Sequence, residues 1–270
     1  MLYMVHKISI QREVIMKRIT KNRAVARASI LTAAAFAGHN IGSGFATGTE
    51  ALQYFASWGA KKAFIGIAIA LAVAAIVLTT VFITGYEQKF KDGKQVYHYF
   101  CGKKLGVVFD YYIYLSMIFV VLTMMSGTGA TINQLTGIPV YVGAIVMGIL
   151  CIITSLLGLE KLRKVLGSLC LVIVLFVFCA GVYVAFTAKT GIVEASRKAA
   201  EYVANGSILQ TDTLGIKNPY LSGISSAGLL IVSGFAWASA TGGLCMTKKE
   251  AVLSGILSPT FFYVSTSVVV

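Results

Sequence analysis

Residues 38–50 read Gly38-His39-Asn40-Ile41-Gly42-Ser43-Gly44-Phe45-Ala46-Thr47-Gly48-Thr49-Glu50, four glycines within eleven residues among hydroxyl groups, closed by a carboxylate. Glycine spacing of this density disfavours continuous helix. Unwinding at Gly42–Gly44 would leave backbone N–H and C=O groups without helical partners. Free N–H groups opening the outer half, near Ala46 to Thr49, would lie at the positive end of a helix dipole and could hold a carboxylate. Free carbonyls closing the inner half, near Gly38 and Ile41, could coordinate a cation. Glu50 could carry a coupling proton, face a cationic substrate, make a structural hydrogen bond to a neighbouring helix, or sit in a watery outer vestibule. His39 could relay a proton or simply pack between helices. The natural cargo of such a string is one amino-acid zwitterion with one driving ion, and no other cofactor is indicated.

The elements that must position this string are apolar. Hydrophobic residues make up 57% of the 270-residue chain and charged residues 12%, with a mean hydropathy of +0.81. A soluble domain carries about twice that share of charge. The apolar residues come in blocks of about twenty, enough to cross ~30 Å of hydrocarbon. The ~10-residue alternation of an outer-membrane barrel is absent. The reading is an all-α polytopic membrane protein with spans at about 28–57, 61–84, 107–131, 138–158, 166–187, 222–246 and 251–270. The first is too long for one straight helix and is expected as two half-helices around the glycine string. Lipid tolerates such backbone only where protein buries it or a watery cavity lines it.

The net charge of +13 does not point to nucleic acid, because the basic residues cluster between the apolar blocks. Seventeen of the 23 lysines and arginines fall in connections on one side and six on the other, which places the N-terminus in the cytoplasm of a multi-pass plasma or inner-membrane protein. Residues 1–27 form a basic tail that continues into the first span without a cleavage site; Met16-Lys17-Arg18 reads as an alternative start. Residues 85–106, with Tyr97, Tyr99 and Phe100 among lysines, suit a short helix on the inner membrane surface. Residues 188–221 form a long external connection with a helix expected at 192–204. Asp110, Glu87 and Glu160 lie near span edges and are expected to be solvated or paired with lysines. Cys101, Cys151, Cys170, Cys179 and Cys245 show no metal-ligand spacing, and those in apolar blocks are expected to be small buried hydrophobes. The chain ends at Val268-Val269-Val270 inside an apolar block, as a fragment would.

Ser43-Gly44-Phe45-Ala46 recurs as Ser233-Gly234-Phe235-Ala236, and Thr-Gly follows in both places, at Thr47-Gly48 and Thr241-Gly242. Two interrupted segments five spans apart point to an inverted repeat, since an odd number of spans turns the second copy upside down. Close helix packing through GxxxG also accommodates the glycines, at Gly38/Gly42 and Gly44/Gly48. Packing alone leaves the neighbouring Thr and Glu unexplained. Ser126-Gly127-Thr128-Gly129 in the third span could face a cavity or serve packing. The candidate substrate-binding set is Gly42, Ser43, Gly44, Phe45, Thr47, Gly48, Gly234, Phe235, Trp237 and Ser239, with Gly38, Ile41 and Glu50 for ion coupling.

Ala37 through Phe45, with Gly48-Thr49-Glu50 after it, resembles the first helix of LeuT-type transporters in the amino acid–polyamine–organocation superfamily, and more closely that of the YkvI-like amino-acid permeases. The resemblance implies a fold of two five-helix inverted repeats with spans one and six broken. Residues 28–187 would be the first repeat, 188–221 the external connection and 222–270 the first two helices of the second. It also implies that the carbonyls of Gly38 and Ile41 form half of a sodium site, and that Phe235 closes over an amino-acid-like substrate with Trp237 as a second lid. The Asn and Thr of a second sodium site in related transporters are replaced here by Phe45 and Leu230, which argues against a second sodium. The implied function is secondary active transport by alternating access. A transporter-fold sensor is the alternative. An enzyme is not indicated, because no HExxH, GxSxG or paired intramembrane aspartates occur. Oligomeric state is not legible.

Overall fold

The computed structural model describes residues 22–42, 48–90, 93–187, 192–206, 210–211 and 215–270. All regular structure among them is helical. Helix α1 spans 22–40; α2, Thr49–Tyr54, follows it and leads through a 3-10 turn at Ala56–Trp58 into α3, Ala60–Gln88. Next come α4, Gly93–Thr136, α5, Val140–Ser155, and α6, Leu159–Thr187. The chain continues with α7, Ile192–Ala204, which coincides with the expected external helix, then α8, Pro219–Gly243, and α9, Lys248–Val269. Five of these, α3, α4, α6, α8 and α9, are long and apolar enough to cross a membrane. Helix α5 is apolar but shorter, at 16 residues.

Helix α3 is the central pillar. Its buried positions Ala63, Gly66, Ile67, Ala70, Ala74, Leu78, Val81, Phe82 and Gly85 recur at three- and four-residue intervals and so form one stripe. The stripe is mostly small residues, which lets α8 and α9 approach closely, as in bilayer bundles where dispersion rather than water exclusion drives association. A Cβ on Gly223 would lie 2.4 Å from the Gly66 carbonyl oxygen, and one on Gly242 would lie 2.5 Å from that of Phe82. Helix α6 meets α1 in the same way: a Cβ on Gly167 would stand 2.5 Å from the Leu31 carbonyl oxygen. Helices α4 and α5 pack mainly on each other, through Gly129 and Gly143, and present apolar side chains such as Tyr111, Phe119 and Ile152 outward. Within the Ser126–Gly129 stretch, Gly129 serves this packing, and Thr128 Oγ1 donates to the Met124 carbonyl.

Span six is not broken. The sequence echo predicts an interruption at Ser233–Ala236, whereas α8 runs from Pro219 to Gly243 as one helix. The reason lies in what its polar and small residues touch. Gly234 has no room for a Cβ, which would lie 2.4 Å from the Phe36 ring of α1. Thr241 Oγ1 donates to the Trp237 carbonyl one turn back at 2.7 Å, the usual way a hydroxyl is satisfied inside a helix. The second copy of the repeated tetrapeptide thus packs within a continuous helix; the first, Ser43–Ala46, lies outside the described residues.

At the basic end of the bundle the chain turns sharply inside α4. Gly102 has φ 74 and ψ 173, a region open essentially to glycine alone. It separates a short helix over 93–101 from the long apolar one over 103–136. The turn is tied by His98 Nε2 and Asp110 Oδ2 at 3.0 Å, so Asp110 pairs with a histidine rather than a lysine. Glu87 and Glu160 do pair with lysines, Lys248 at 2.7 Å and Lys164 at 2.8 Å. Gly102→Ala is expected to destabilise this turn by about 1–3 kcal/mol; hydrogen exchange of 93–101 should rise while that of α3 stays unchanged.

Of the five cysteines, Cys170 and Cys245 are buried as expected, but Cys151 and Cys179 are exposed. Both lie on helices whose outer faces are covered by no other described element, so an apolar block did not guarantee a protein neighbour.

Candidate functional site

Helix α1 ends at Asn40, and the next described helix begins at Thr49. The end is secured locally: Ile41 N–H donates to the Ala37 carbonyl at 2.9 Å, and Asn40 Nδ2 donates to the Phe36 carbonyl at 2.9 Å. Gly48, at φ 73 and ψ 0, sits in the left-handed region and starts α2, which a residue with a Cβ would do at a cost. Glu50 falls in the first turn of α2, where the helix end favours negative charge. At six residues α2 is short, and its dipole is correspondingly small.

The end of α1 faces α8. Ser233 Oγ donates to Asn40 Oδ1, with the Leu229 carbonyl 2.9 Å away as its in-helix alternative. His39 Nε2 lies 3.4 Å from the Ser233 carbonyl, and its ring stacks on Trp237 with centroids 5.2 Å apart and planes 6° apart. Between α1, α2, α4, α8 and α9 lies a cavity of about 170 Å³. Its polar lining is His39, Asn40, Glu50, Tyr54, Ser226 and Ser233; its apolar lining is Met117, Val120, Met124, Leu229, Leu230 and Phe262. Tyr263, next to Phe262, is buried with its hydroxyl 3.3 Å from Ser226 Oγ.

The far side of the site is roofed by the connection leading to α8. Ser222 Oγ donates to the Tyr54 carbonyl at 2.7 Å, Thr211 Oγ1 donates to Ser222 Oγ at 2.9 Å, and Gln210 Nε2 donates to the Ser57 carbonyl at 3.1 Å. These bonds satisfy carbonyls that the short α2 and its 3-10 turn leave open.

The chain matches no family model, no curated protein and no solved structure. The site therefore has to be read from its own chemistry.

Of the sequence-predicted residues, Glu50 lines the cavity. Gly42 adjoins it, since a Cβ there would lie 2.0 Å from Met124 Cε. Ser43, Gly44, Phe45 and Thr47 lie outside the described residues. Gly38 is pressed against α6, its absent Cβ leaving 3.0 Å to Cys170 Cβ, and Ile41 packs on the core. Gly234 contacts Phe36, as above. Phe235 is not among the cavity's lining residues; its ring meets Tyr97 and Phe100 of the 93–101 helix, at 5.5 and 5.3 Å. Trp237 reaches the site only through His39. Ser239 is fully buried and turned to α3, its backbone carbonyl against Gly85. Phe235 and Ser239 sit elsewhere because an unbroken helix sends successive side chains 100° apart, and Ser226 and Ser233 already hold the inward face.

Sequence reasoning missed Tyr54, Met117, Met124, Ser226, Leu229 and Phe262. A signal existed for one of them: Ser222, Ser226 and Ser233 stand four and seven residues apart and share one face of α8. Nothing in the local sequence of α4 distinguishes Met117 and Met124 from lipid-facing residues.

Proposed function

We propose that this protein is a secondary active transporter that moves an amino acid or a similar small zwitterion by alternating access, coupled to sodium or protons. The observation that carries the reading is the end of α1 at Asn40 and the short α2 after it, facing α8 across a cavity that holds the carboxylate of Glu50. An interrupted helix beside a polar cavity in a bilayer is the arrangement by which many transporters bind substrate near the midplane. On this reading the fold is LeuT-like, the basic end faces the cytoplasm of a plasma or inner membrane, and the carbonyls of Gly38 and Ile41 are candidates for holding sodium. The protein would be a carrier and not an enzyme, with the lipid bilayer and a small solute as its partners and no nucleic acid. The uninterrupted α8 favours a second reading, a transporter-fold sensor that binds a small solute without moving it.

Counterflow decides between them. Proteoliposomes holding the full chain and preloaded with unlabelled leucine should accumulate labelled leucine transiently from outside. Saturable binding with no exchange would assign the protein to the sensor class.

A further inference from the structure

We propose that the cavity beside α8 recognises its ligand through a primary ammonium group seated on Glu50, and that a carboxylate on the ligand is dispensable. The inference deepens the transport reading and rests on it only for the word substrate; binding itself is a separate matter.

The first support is charge. Glu50 lines the cavity, and no lysine or arginine lies between Ala28 and Ala60 or among the described residues of the cavity wall. Among the described residues no ion pair to Glu50 is present. An ionised carboxylate in a bilayer without a positive partner is costly, so the missing positive charge must come from outside the protein or the group must take up a proton. The second support is the aromatic lining. Tyr54 and Phe262 share the wall with Glu50, and aromatic faces beside a carboxylate suit an ammonium ion.

The third support separates an amine from a metal cation. Half of the lining is apolar, with Met117, Met124 and Leu230 among it. A hard divalent cation is held mainly by carboxylates, and Glu50 is the one carboxylate among the described residues of this wall, with no cluster of three or more His, Cys, Asp or Glu among the described residues. At about 170 Å³ the cavity holds the liquid volume of roughly six waters, room for an ammonium with a short aliphatic body of four to six carbons. The adaptable methionines would pack against such a body. Among the described residues of the wall there is no lysine or arginine to meet a ligand carboxylate.

The test compares three ligands of one shape: 3-methylbutylamine, leucine and 3-methylbutanoate, added at equal ionic strength to the detergent-solubilised full chain while thermal unfolding is followed. The amine is expected to raise the midpoint at least as much as leucine at equal concentration, and the carboxylate to leave it unchanged. Glu50→Gln is expected to weaken the amine roughly tenfold or more, the loss of one charge-assisted bond. The wild-type series decides alone if that variant does not fold. Stabilisation by the carboxylate but not the amine overturns the proposal, and so does a midpoint that moves with pH and with none of the three ligands, which would make Glu50 a proton carrier. Equal amine affinity in Glu50→Gln overturns it as well. Amine binding without counterflow leaves this inference standing and ends the transport reading; counterflow of the carboxylate alone does the reverse.

Discussion

Replacing Arg163 with alanine is expected to cost the folded protein about 3–5 kcal/mol, more than any change at the cavity. The sequence places Arg163 in a connection, yet its side chain is only 13% exposed and that of Glu250 only 3%. Arg163 Nη1 stands 3.9 Å from Glu250 Oε1 and donates to Thr32 Oγ1 at 3.1 Å. Glu250 Oε2 accepts from the Met246 N–H at 3.0 Å, and the Glu250 N–H donates to Thr247 Oγ1 at 3.2 Å. The Thr247–Glu250 pair is a capping box at the start of α9, with the glutamate reaching one residue further back than usual. Ser29 Oγ of α1 approaches the Glu250 carbonyl at 3.4 Å. One arginine therefore joins α1, α6 and α9.

Removing Arg163 leaves a buried carboxylate with hydrogen bonds but no counter-charge. Thermal unfolding in detergent should show the drop, and the double change Arg163→Met with Glu250→Gln should recover most of it, because the uncompensated charge is then gone. A double variant no more stable than Arg163→Ala would show that the ion pair is not what holds these helices.

Gly85→Val is the second large effect, expected at about 3 kcal/mol or more. A Cβ on Gly85 would lie 2.1 Å from the Ser239 carbonyl oxygen and 2.9 Å from its Cα. These are backbone atoms of a packed helix, so the clash can be relieved only by moving α3 away from α8. Such a shift would disturb the whole stripe from Ala63 to Gly85. Gly228→Ala in α8 is the control, since a Cβ there meets nothing within 4 Å; its unfolding midpoint should match or slightly exceed that of the wild type. Equal loss in both variants would mean that glycine content rather than close approach sets stability.

Particular residues show how far the sequence could be read. The helix over 192–204 was legible, because its polar and apolar residues alternate at helical spacing with a carboxylate at its start. So was the break after Asn40, where glycine density opposes helix regardless of surroundings. The identity of Ser233-Gly234-Phe235-Ala236 with residues 43–46 misled, since Phe36 and Asn40 pack against Gly234 and Ser233 and α8 runs through the second copy unbroken. Arg163 and Glu250 gave no local sign of pairing, being 87 residues apart.

Composition, block length and glycine density by themselves determined that the chain holds helices of membrane length, that helix stops at the glycine-rich string, and that a carboxylate follows it. These properties follow from local backbone preference and from the cost of polar groups in hydrocarbon, both written residue by residue. Only the tertiary structure decided that α8 is continuous, that Phe235 and Ser239 lie away from the cavity, and that Met117, Ser226 and Phe262 belong to it. The reason is that in a bilayer bundle nearly every face is apolar. Which face meets protein and which meets lipid is then set by shape, by where a missing Cβ lets one helix approach another, and local sequence does not encode that.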